Sequence, residues 1–315
     1  GVGLELNTLS IIPIISKHHH PRSTEATTKY FLTQAAASAT LLFASTLNAW
    51  HTGTWDISQL TYQPACTMLT VALAMKLGLA PLHFWLPEVL QGTSLGTALI
   101  ITTWQKLAPL ALMFLTHSSL SPSILITLGL LSALVGGWGG LNQTQTRKIM
   151  AFSSIAHLGW MSAVMTLSPN LALLNLALYL LMTATTFIML VQTSSKTITD
   201  LTTASTLSPP TPALMMILLM SLGGLPPLTG FMPKWLILQE LTTHNFPTTA
   251  TIMAMSALLS LFFYLRLAYS STLTAFPSTT NTHHKWRLQP KTTTYPMCIM
   301  LTLSTMLLPI TPILL

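Results

Sequence analysis

Apolar residues run along this chain in long stretches separated by short polar or proline-bearing joints. A helix that crosses a bilayer needs about 20 mostly apolar residues. On that measure the pattern predicts spans over 1–16 (partial), 25–50, 61–80, 93–116, 121–140, 147–166, 170–193, 212–240, 247–271 and 294–315, about ten in all. The span over 212–240 is long and interrupted. The expected fold is all-α, a polytopic transmembrane helix bundle forming a single domain over 1–315.

The joints carry turn chemistry: His20-Pro21, Pro87, Ser121-Pro122, Ser168-Pro169-Asn170, Ser208-Pro209-Pro210 and Asn245-Phe246-Pro247. None is long enough to be a separate domain. Their charges alternate. Lys17, Arg22 and Lys29 follow the first span, no Lys or Arg surrounds Asp56, and the later odd-numbered joints hold Arg147 with Lys148, Lys196, and Lys285 with Arg287 and Lys291. Cation-bearing joints face the cytoplasm or the mitochondrial matrix, so Leu315 is expected on the opposite side.

Composition agrees with a bilayer. Half of the 315 residues are hydrophobic, only 6% are charged, and the mean hydropathy is +0.61. A soluble domain carries about 25% charged residues, and this chain could not cover a water-facing surface. The formal charge of +7 is scattered rather than gathered into a stripe with interleaved aromatics, which argues against nucleic acid. Cys66 and Cys298 cannot build a disulfide framework or supply the four thiolates of an iron–sulfur centre, so any redox cofactor sits elsewhere. The chain starts at Gly1 already inside an apolar stretch, without Met or a basic leader, and one further apolar span is expected before it, starting on the basic-loop side.

One internal repeat stands out. Gly78-Leu79-Ala80-Pro81-Leu82, closed by Pro87, matches Gly224-Leu225-Pro226-Pro227-Leu228, closed by Pro233. The two copies lie on spans that cross in opposite directions, which makes the repeat inverted, with half-repeats of about 1–116 and 121–271 and a last helix over about 294–315. Gly and Pro at membrane depth break the hydrogen-bond ladder, and the freed backbone groups are tolerated where they line protein or a polar cavity. Two broken helices in matching halves therefore point to an ion or substrate path. Two ordinary proline-ended helices in so Leu-rich a chain would give part of the same match.

Charge placement narrows the site. Glu5 lies in the first apolar stretch, Lys76 near the end of 61–80, Lys106 mid-span in 93–116, and Lys234 just past the second break. A central Lys or Asp costs about 2.5 to 3.5 kcal/mol on insertion scales, so such residues usually pair or line a proton or ion pathway. Snorkelling from a helix end is the alternative for Lys234, and Lys106 is the sharpest single position. A desolvated lysine can lose its proton near neutral pH, whereas one beside a carboxylate stays charged. His83, just after the first break, and His157, mid-span, are relay candidates, a hydrogen-bonded structural role being as common.

Other signals fail. Gly136-Gly137-Trp138-Gly139-Gly140 has no preceding strand and no following Gly-Lys-Ser, and suits close helix packing better than phosphate. His18-His19-His20 beside Arg22 reads as a solvated cluster facing lipid headgroups rather than a metal site. No nucleophile set is arranged on any one element.

The stretches Gly3-Leu4-Glu5-Leu6-Asn7, Ser23-Thr24-Glu25-Ala26 with Lys29-Tyr30-Phe31, Lys76 through Glu88, Trp104-Gln105-Lys106, and Phe231-Met232-Pro233-Lys234-Trp235 occur in order. They resemble the subunit 2 family of animal mitochondrial NADH dehydrogenase over the whole chain. The resemblance implies an antiporter-like subunit in the membrane arm of respiratory complex I, in the mitochondrial inner membrane among other membrane-arm subunits and inner-membrane lipids. It implies that NADH, FMN, iron–sulfur clusters and ubiquinone belong to other subunits. Carried over by motif, Glu5 and Lys76 form an interacting pair, Lys106 is the central proton carrier and Lys234 the connection in the second half, while His83 and His157 match less distinctive positions. A stand-alone cation/proton antiporter subunit uses the same broken helices and is the alternative; the length and Thr-rich composition favour the first.

Overall fold

The computed structural model describes residues 1–17, 19–56, 60–207, 210–272 and 295–310. Within them the fold is helical, with one isolated antiparallel bridge between Gln145 and Thr197. The first half holds α1 (Val2–Ser16), α2 (Pro21–Thr52), α3 (Gln63–Leu77), α4 (Trp85–Gly92), α5 (Leu95–Thr102) and α6 (Trp104–Leu115). Then follow α7 (Pro122–Gly140), α8 (Thr146–Val164), α9 (Pro169–Gln192), α10 (Ile198–Leu207), α11 (Pro210–Gly223), α12 (Phe231–Thr243), α13 (Pro247–Thr272) and α14 (Tyr295–Met306).

Local chemistry sets the ends. Pro21, Pro122, Pro169 and Pro247 open their helices, where a missing N–H costs nothing and the fixed φ is already helical. The His20 side chain caps α2 by accepting from the Arg22 amide at 3.2 Å. The many Ser and Thr residues stay compatible with a bilayer because their hydroxyls donate to carbonyls three or four residues back, as Ser154 does to Ala151 and Thr183 to Tyr179, each at 2.7 Å.

Four helical stretches among the described residues are long and apolar enough to cross a membrane on their own: Leu95–Leu115, Pro122–Gly140, Pro169–Gln192 and Pro247–Thr272. The 32-residue α2 is longer still but turns Ser23, Thr27, Gln34, Ser38 and Asn48 inward. Nearly every residue of α8 is buried, and its side chains reach both apolar cores, Leu158 and Met161 in one, Met150 and Ile155 in the other. It is the central pillar. The glycine-rich end of α7 packs on it so closely that a Cβ on Gly136 would lie 2.6 Å from the Ala156 nitrogen and one on Gly159 would lie 2.3 Å from Ser132 Oγ. This is the close approach expected of small residues between membrane helices.

The basic joints are knitted together at one end of the bundle. Lys29 on α2 binds Glu88 on α4 at 2.6 Å, the Thr146 amide donates to the Lys196 carbonyl at 3.1 Å, and the Arg147 guanidinium donates to the Thr93 carbonyl. Three of the basic joints read from the sequence, those of Lys29, Arg147 and Lys196, are thus tied into one end of the described bundle.

Three boundaries differ from the sequence reading. The stretch 93–116 is not one helix: Thr103 breaks it into α5 and α6. The threonine pair there turns its hydroxyls back on the ladder, Thr102 to Ala98 at 2.9 Å and Thr103 to Leu99 at 2.7 Å, and Pro109 removes another rung one turn later. The interrupted span 212–240 resolves into α11 and α12, and the joint holding Lys196 continues into α10, an additional short helix. His18, Lys285, Arg287 and Lys291 lie outside the described residues.

Gly136→Ala should therefore lower the thermal midpoint of the detergent-solubilised protein, by a cost of about 1 to 3 kcal/mol for overpacking. Gly96→Ala, where nothing lies within 4 Å, should leave it unchanged or raise it slightly. Equal effects of the two would show that the α7–α8 contact is not backbone-tight.

Candidate functional site

Helix α3 stops because Gly78 adopts a left-handed φ of 77°. Its amide turns back to the Ala74 and Met75 carbonyls at 2.9 and 3.2 Å, and the Leu79 amide also takes Ala74 at 3.0 Å. In the second half Gly224, at φ 80°, donates to Met220 and Ser221 at 3.1 and 3.0 Å, and Leu225 donates to Met220 at 3.2 Å. The two breaks match bond for bond. This shared register, the Schellman arrangement of glycine-ended helices, agrees with the sequence match between the two halves.

A break leaves the last carbonyls of its helix without an amide partner. In the first half the Trp85 indole donates to the Met75 carbonyl at 3.2 Å, and the Lys106 ammonium donates to the Leu77 carbonyl. In the second, Lys234 Nζ donates to the Gly223 carbonyl at 2.8 Å, with the Leu222 carbonyl at 3.5 Å. Each half thus places one lysine on the residue just before the left-handed glycine. Lys106 is 1% exposed and its Nζ stands 5.5 Å from the Trp85 ring centroid, a cation–π distance. Lys234 lies with its stem across Gly224, where an added Cβ would meet its Cδ at 2.9 Å and its Nζ at 3.0 Å.

Lys76 and Lys106 line one narrow cavity with Asn7, Tyr30, Gln34, Trp85 and Gln105. Its free volume of about 10 Å³ is room for one water molecule. Gln105 and Asn7 exchange hydrogen bonds at 3.1 and 3.2 Å, and the Tyr30 hydroxyl donates to Gln105 Oε1 at 3.3 Å, so α1, α2 and α6 are tied by amides rather than charges. The Lys76 ammonium is buried without a hydrogen-bond partner.

Glu5 and Lys76, an interacting pair on the family resemblance, are not within ion-pair distance of each other. The ion pairs among the described residues are Lys29–Glu25, Lys29–Glu88 and His244–Glu240. The neighbour Leu4 takes the buried face of α1, which turns Glu5 about 100° away into an open groove of about 250 Å³ between α1 and α2. Thr8, Tyr30 and Gln34 line both that groove and the lysine cavity, so one wall separates the carboxylate from the ammonium. Lys76 feels the Glu5 charge through space.

His157, on the buried α8, has the Tyr264 hydroxyl 3.5 Å from Nε2 and the Tyr179 ring at a centroid distance of 5.5 Å. It is within electrostatic reach of Lys234. The Tyr179 hydroxyl donates to the Thr102 carbonyl at 3.1 Å, a carbonyl released by the break at Thr103. Tyr179 thus joins the Lys106 helix pair to the histidine, and neither it nor Tyr264 was found from sequence; two aromatics in apolar runs carry no signal until a broken helix is seen beside them. His83 is buried against Phe84, ring centroids 4.3 Å apart, and lines neither cavity. The arrangement sets titratable lysines, tyrosines and a histidine within the helix bundle; among the described residues no three His, Cys, Asp or Glu side chains converge as metal ligands.

Residues 2–260 match the family described as NADH:quinone oxidoreductase/Mrp antiporter, transmembrane, and residues 261–315 match NADH dehydrogenase subunit 2 C-terminus. The chain is 58% identical over 312 residues to NADH-ubiquinone oxidoreductase chain 2 of Xenopus laevis, covering 99% of this chain and 90% of that one. It is 57% identical over 313 residues to the same chain of Struthio camelus, again 99% and 90%. Among solved structures, respiratory complex I from Thermus thermophilus contains a chain with TM-score 0.83 and 27% identity, covering 99% of this chain and 73% of that one. The Mrp complex from Dietzia shares the fold, with TM-score 0.81 at 16% identity, covering 99% and 71%.

Gly224→Ala should displace the Lys234 ammonium from the Gly223 carbonyl and cost about 1 to 2 kcal/mol for the left-handed backbone alone. Gly223→Ala meets nothing closer than 3.7 Å and should be mild. Comparing the thermal midpoints of the two variants checks this; equal midpoints would mean the lysine does not lie across the break.

Proposed function

The chain belongs to the NADH-ubiquinone oxidoreductase chain 2 family, and from that premise we propose that its two break-bound lysines are the proton-carrying groups of a membrane-arm subunit of complex I. It is a membrane subunit of a proton-translocating NADH:quinone reductase and works beside other membrane-arm subunits. The observation that carries the site is the pair of equivalent breaks, each holding one lysine on the carbonyl freed before a left-handed glycine. Lys76 and Glu5 form the entry on the α1–α2 side, Lys106 the centre of the first half, Tyr179 with His157 the crossing between halves, and Lys234 the carrier of the second. His83 keeps a lesser place, as a group at the first break that adjusts its loop.

The whole chain acts as one translocation domain, its half-repeats over about 1–116 and 121–271 and its last helix over about 294–315. NADH, FMN, iron–sulfur clusters and ubiquinone are held by other subunits, the mitochondrial inner membrane is its location, inner-membrane lipids surround it, and nucleic acid has no part. Cation/proton antiport remains the reading to test against. Near-full-length identity of 58% to complex I chains, against 16% to the Mrp chain, favours the reductase.

Lys106→Met removes the proton site but also strips the Leu77 carbonyl of its donor, whereas Lys106→Gln retains a donor of shorter reach. Both should suppress NADH:quinone turnover and pumping by roughly two to four orders of magnitude if the transferred proton passes this residue. The Gln variant should assemble better than the Met variant. Lys106→Arg should also impair pumping, since guanidinium does not deprotonate at accessible pH. Full pumping by an assembled Gln variant excludes Lys106 as carrier, and sodium-dependent transport in reconstituted vesicles would favour the antiporter reading.

Because Glu5 and Lys76 act through a wall rather than in contact, their coupling in a double-mutant cycle of Glu5→Gln and Lys76→Met should be smaller than the 3 to 5 kcal/mol cost of breaking a buried contact pair, at about 0.5 to 1 kcal/mol. Assembly yields of the four proteins measure it. Strict additivity would remove Glu5 from the path.

A further inference from the structure

The end of the bundle that carries the basic joints holds a polar pocket that the proton path does not use. Its free volume is about 300 Å³, and Arg22, Glu25, Lys29, Glu88, Gln91 and Lys148 line it. Lys29 takes up both carboxylates at 2.6 Å. Among the described residues neither Arg22 nor Lys148 has a carboxylate within ion-pair distance, Arg22 reaching Glu25 only through space.

These two cations stand where their own helices disfavour them. Arg22 is the second residue of the 32-residue α2, and Lys148 the third of the 19-residue α8, preceded by Arg147. The N-terminus is the positive end of a helix macrodipole, so a cation there is repelled and an anion attracted. Arg147 adds to the imbalance: it repels Arg22, spends one guanidinium nitrogen on the Thr93 carbonyl, and has its Nε buried without a partner. Arg22 and Lys148, each on the first turn of its helix and without a carboxylate within ion-pair distance, make this pocket a site for one compact anion.

We propose that this pocket binds the phosphate of an anionic phospholipid headgroup. The Leu95–Leu115 stretch, long and apolar enough to cross a membrane, begins just past Gly92 of this pocket, which puts the pocket near headgroup depth, and Phe84, next to the Glu88 helix, is 70% exposed for contact with acyl chains. Basic pockets between helices on this side of a membrane suit such headgroups. The volume admits a phosphate with its glycerol but not a folded acidic segment. The inference is independent of which lysine carries protons.

The test reconstitutes the assembled complex in phosphatidylcholine vesicles doped with phosphatidylglycerol bearing a headgroup photo-crosslinker, and maps the labelled peptides. Labelling is expected on the peptides holding Arg22 to Lys29, Glu88 to Gly92 and Thr146 to Lys148. Arg22→Gln and Lys148→Gln should each reduce it about fivefold and together roughly twenty-five-fold. Arg22→Lys with Lys148→Arg should retain it, which separates charge loss from misfolding. Equal labelling by a phosphatidylcholine probe, or unchanged labelling in the double Gln variant, overturns the proposal. Displacement by inorganic phosphate alone would identify a free-phosphate site, and a protein–protein crosslink to an acidic segment filling the pocket a subunit interface; either result also overturns it.

Discussion

Everything at the candidate site follows from one constraint: in a membrane interior a backbone carbonyl that loses its amide must find another donor. An unpaired group there costs several kcal/mol, and a central lysine costs about 2.5 to 3.5 kcal/mol on insertion scales. Brought together, they offset one another, since a hydrogen bond to a charged group contributes about 1.5 to 3 kcal/mol. Leu77 with Lys106 and Gly223 with Lys234 are such pairs. Each also sets an ammonium at the C-terminal, negative end of a helix dipole. A neutral amine still has N–H groups to give, so a proton can leave either lysine without orphaning the carbonyl that fixes its position.

The same constraint explains what joins the halves. The break at Thr103 releases the Thr102 carbonyl, because the Lys106 amide turns instead to Thr103 at 3.2 Å. Tyr179, on a helix of the second half, supplies the missing donor, and its ring meets His157. Tyr179 is thereby anchored on the end of α5, next to the helix that carries Lys106, with its ring beside the histidine. The lysine cavity is narrow, with room for about one water beside Lys76 and Lys106.

Much of this was legible in the sequence because the signals were local. Gly-Leu-x-Pro-Leu at membrane depth disfavours an unbroken helix, and Lys106 in the middle of an apolar span has no surface to reach, so the breaks and that buried lysine can be read from the residues themselves. The alternation of basic joints likewise became a physical cluster of Lys29, Arg147 and Lys196. Orientation and partnership were not legible. Glu5 lies within an apolar run, but only the burial of Leu4 shows that its carboxylate faces the groove rather than Lys76. The Thr103 break depends on two hydroxyls and Pro109 acting together, each common in intact membrane helices, and Tyr179 gains meaning only from the carbonyl that this break exposes.

The repeat is most informative where its halves part. Glu88 and Lys234 occupy the same position relative to the left-handed glycine, ten residues on. In the first half that position opens α4 with a carboxylate, which suits the positive end of its helix and binds Lys29 at the surface. In the second it opens α12 with a lysine, which its own helix repels and which turns back onto the end of α11. The first half must then bring its break-bound lysine from another helix, α6, and that helix is itself interrupted. One half thus carries its ammonium on the broken segment, the other on a neighbouring helix. Displacing α6 against α3 changes the Leu77–Lys106 contact, and displacing α12 against α11 changes the Gly223–Lys234 contact. Each ammonium is thus set by a different neighbour: α6, 29 residues on in the chain, in the first half, and α12, 11 residues on, in the second.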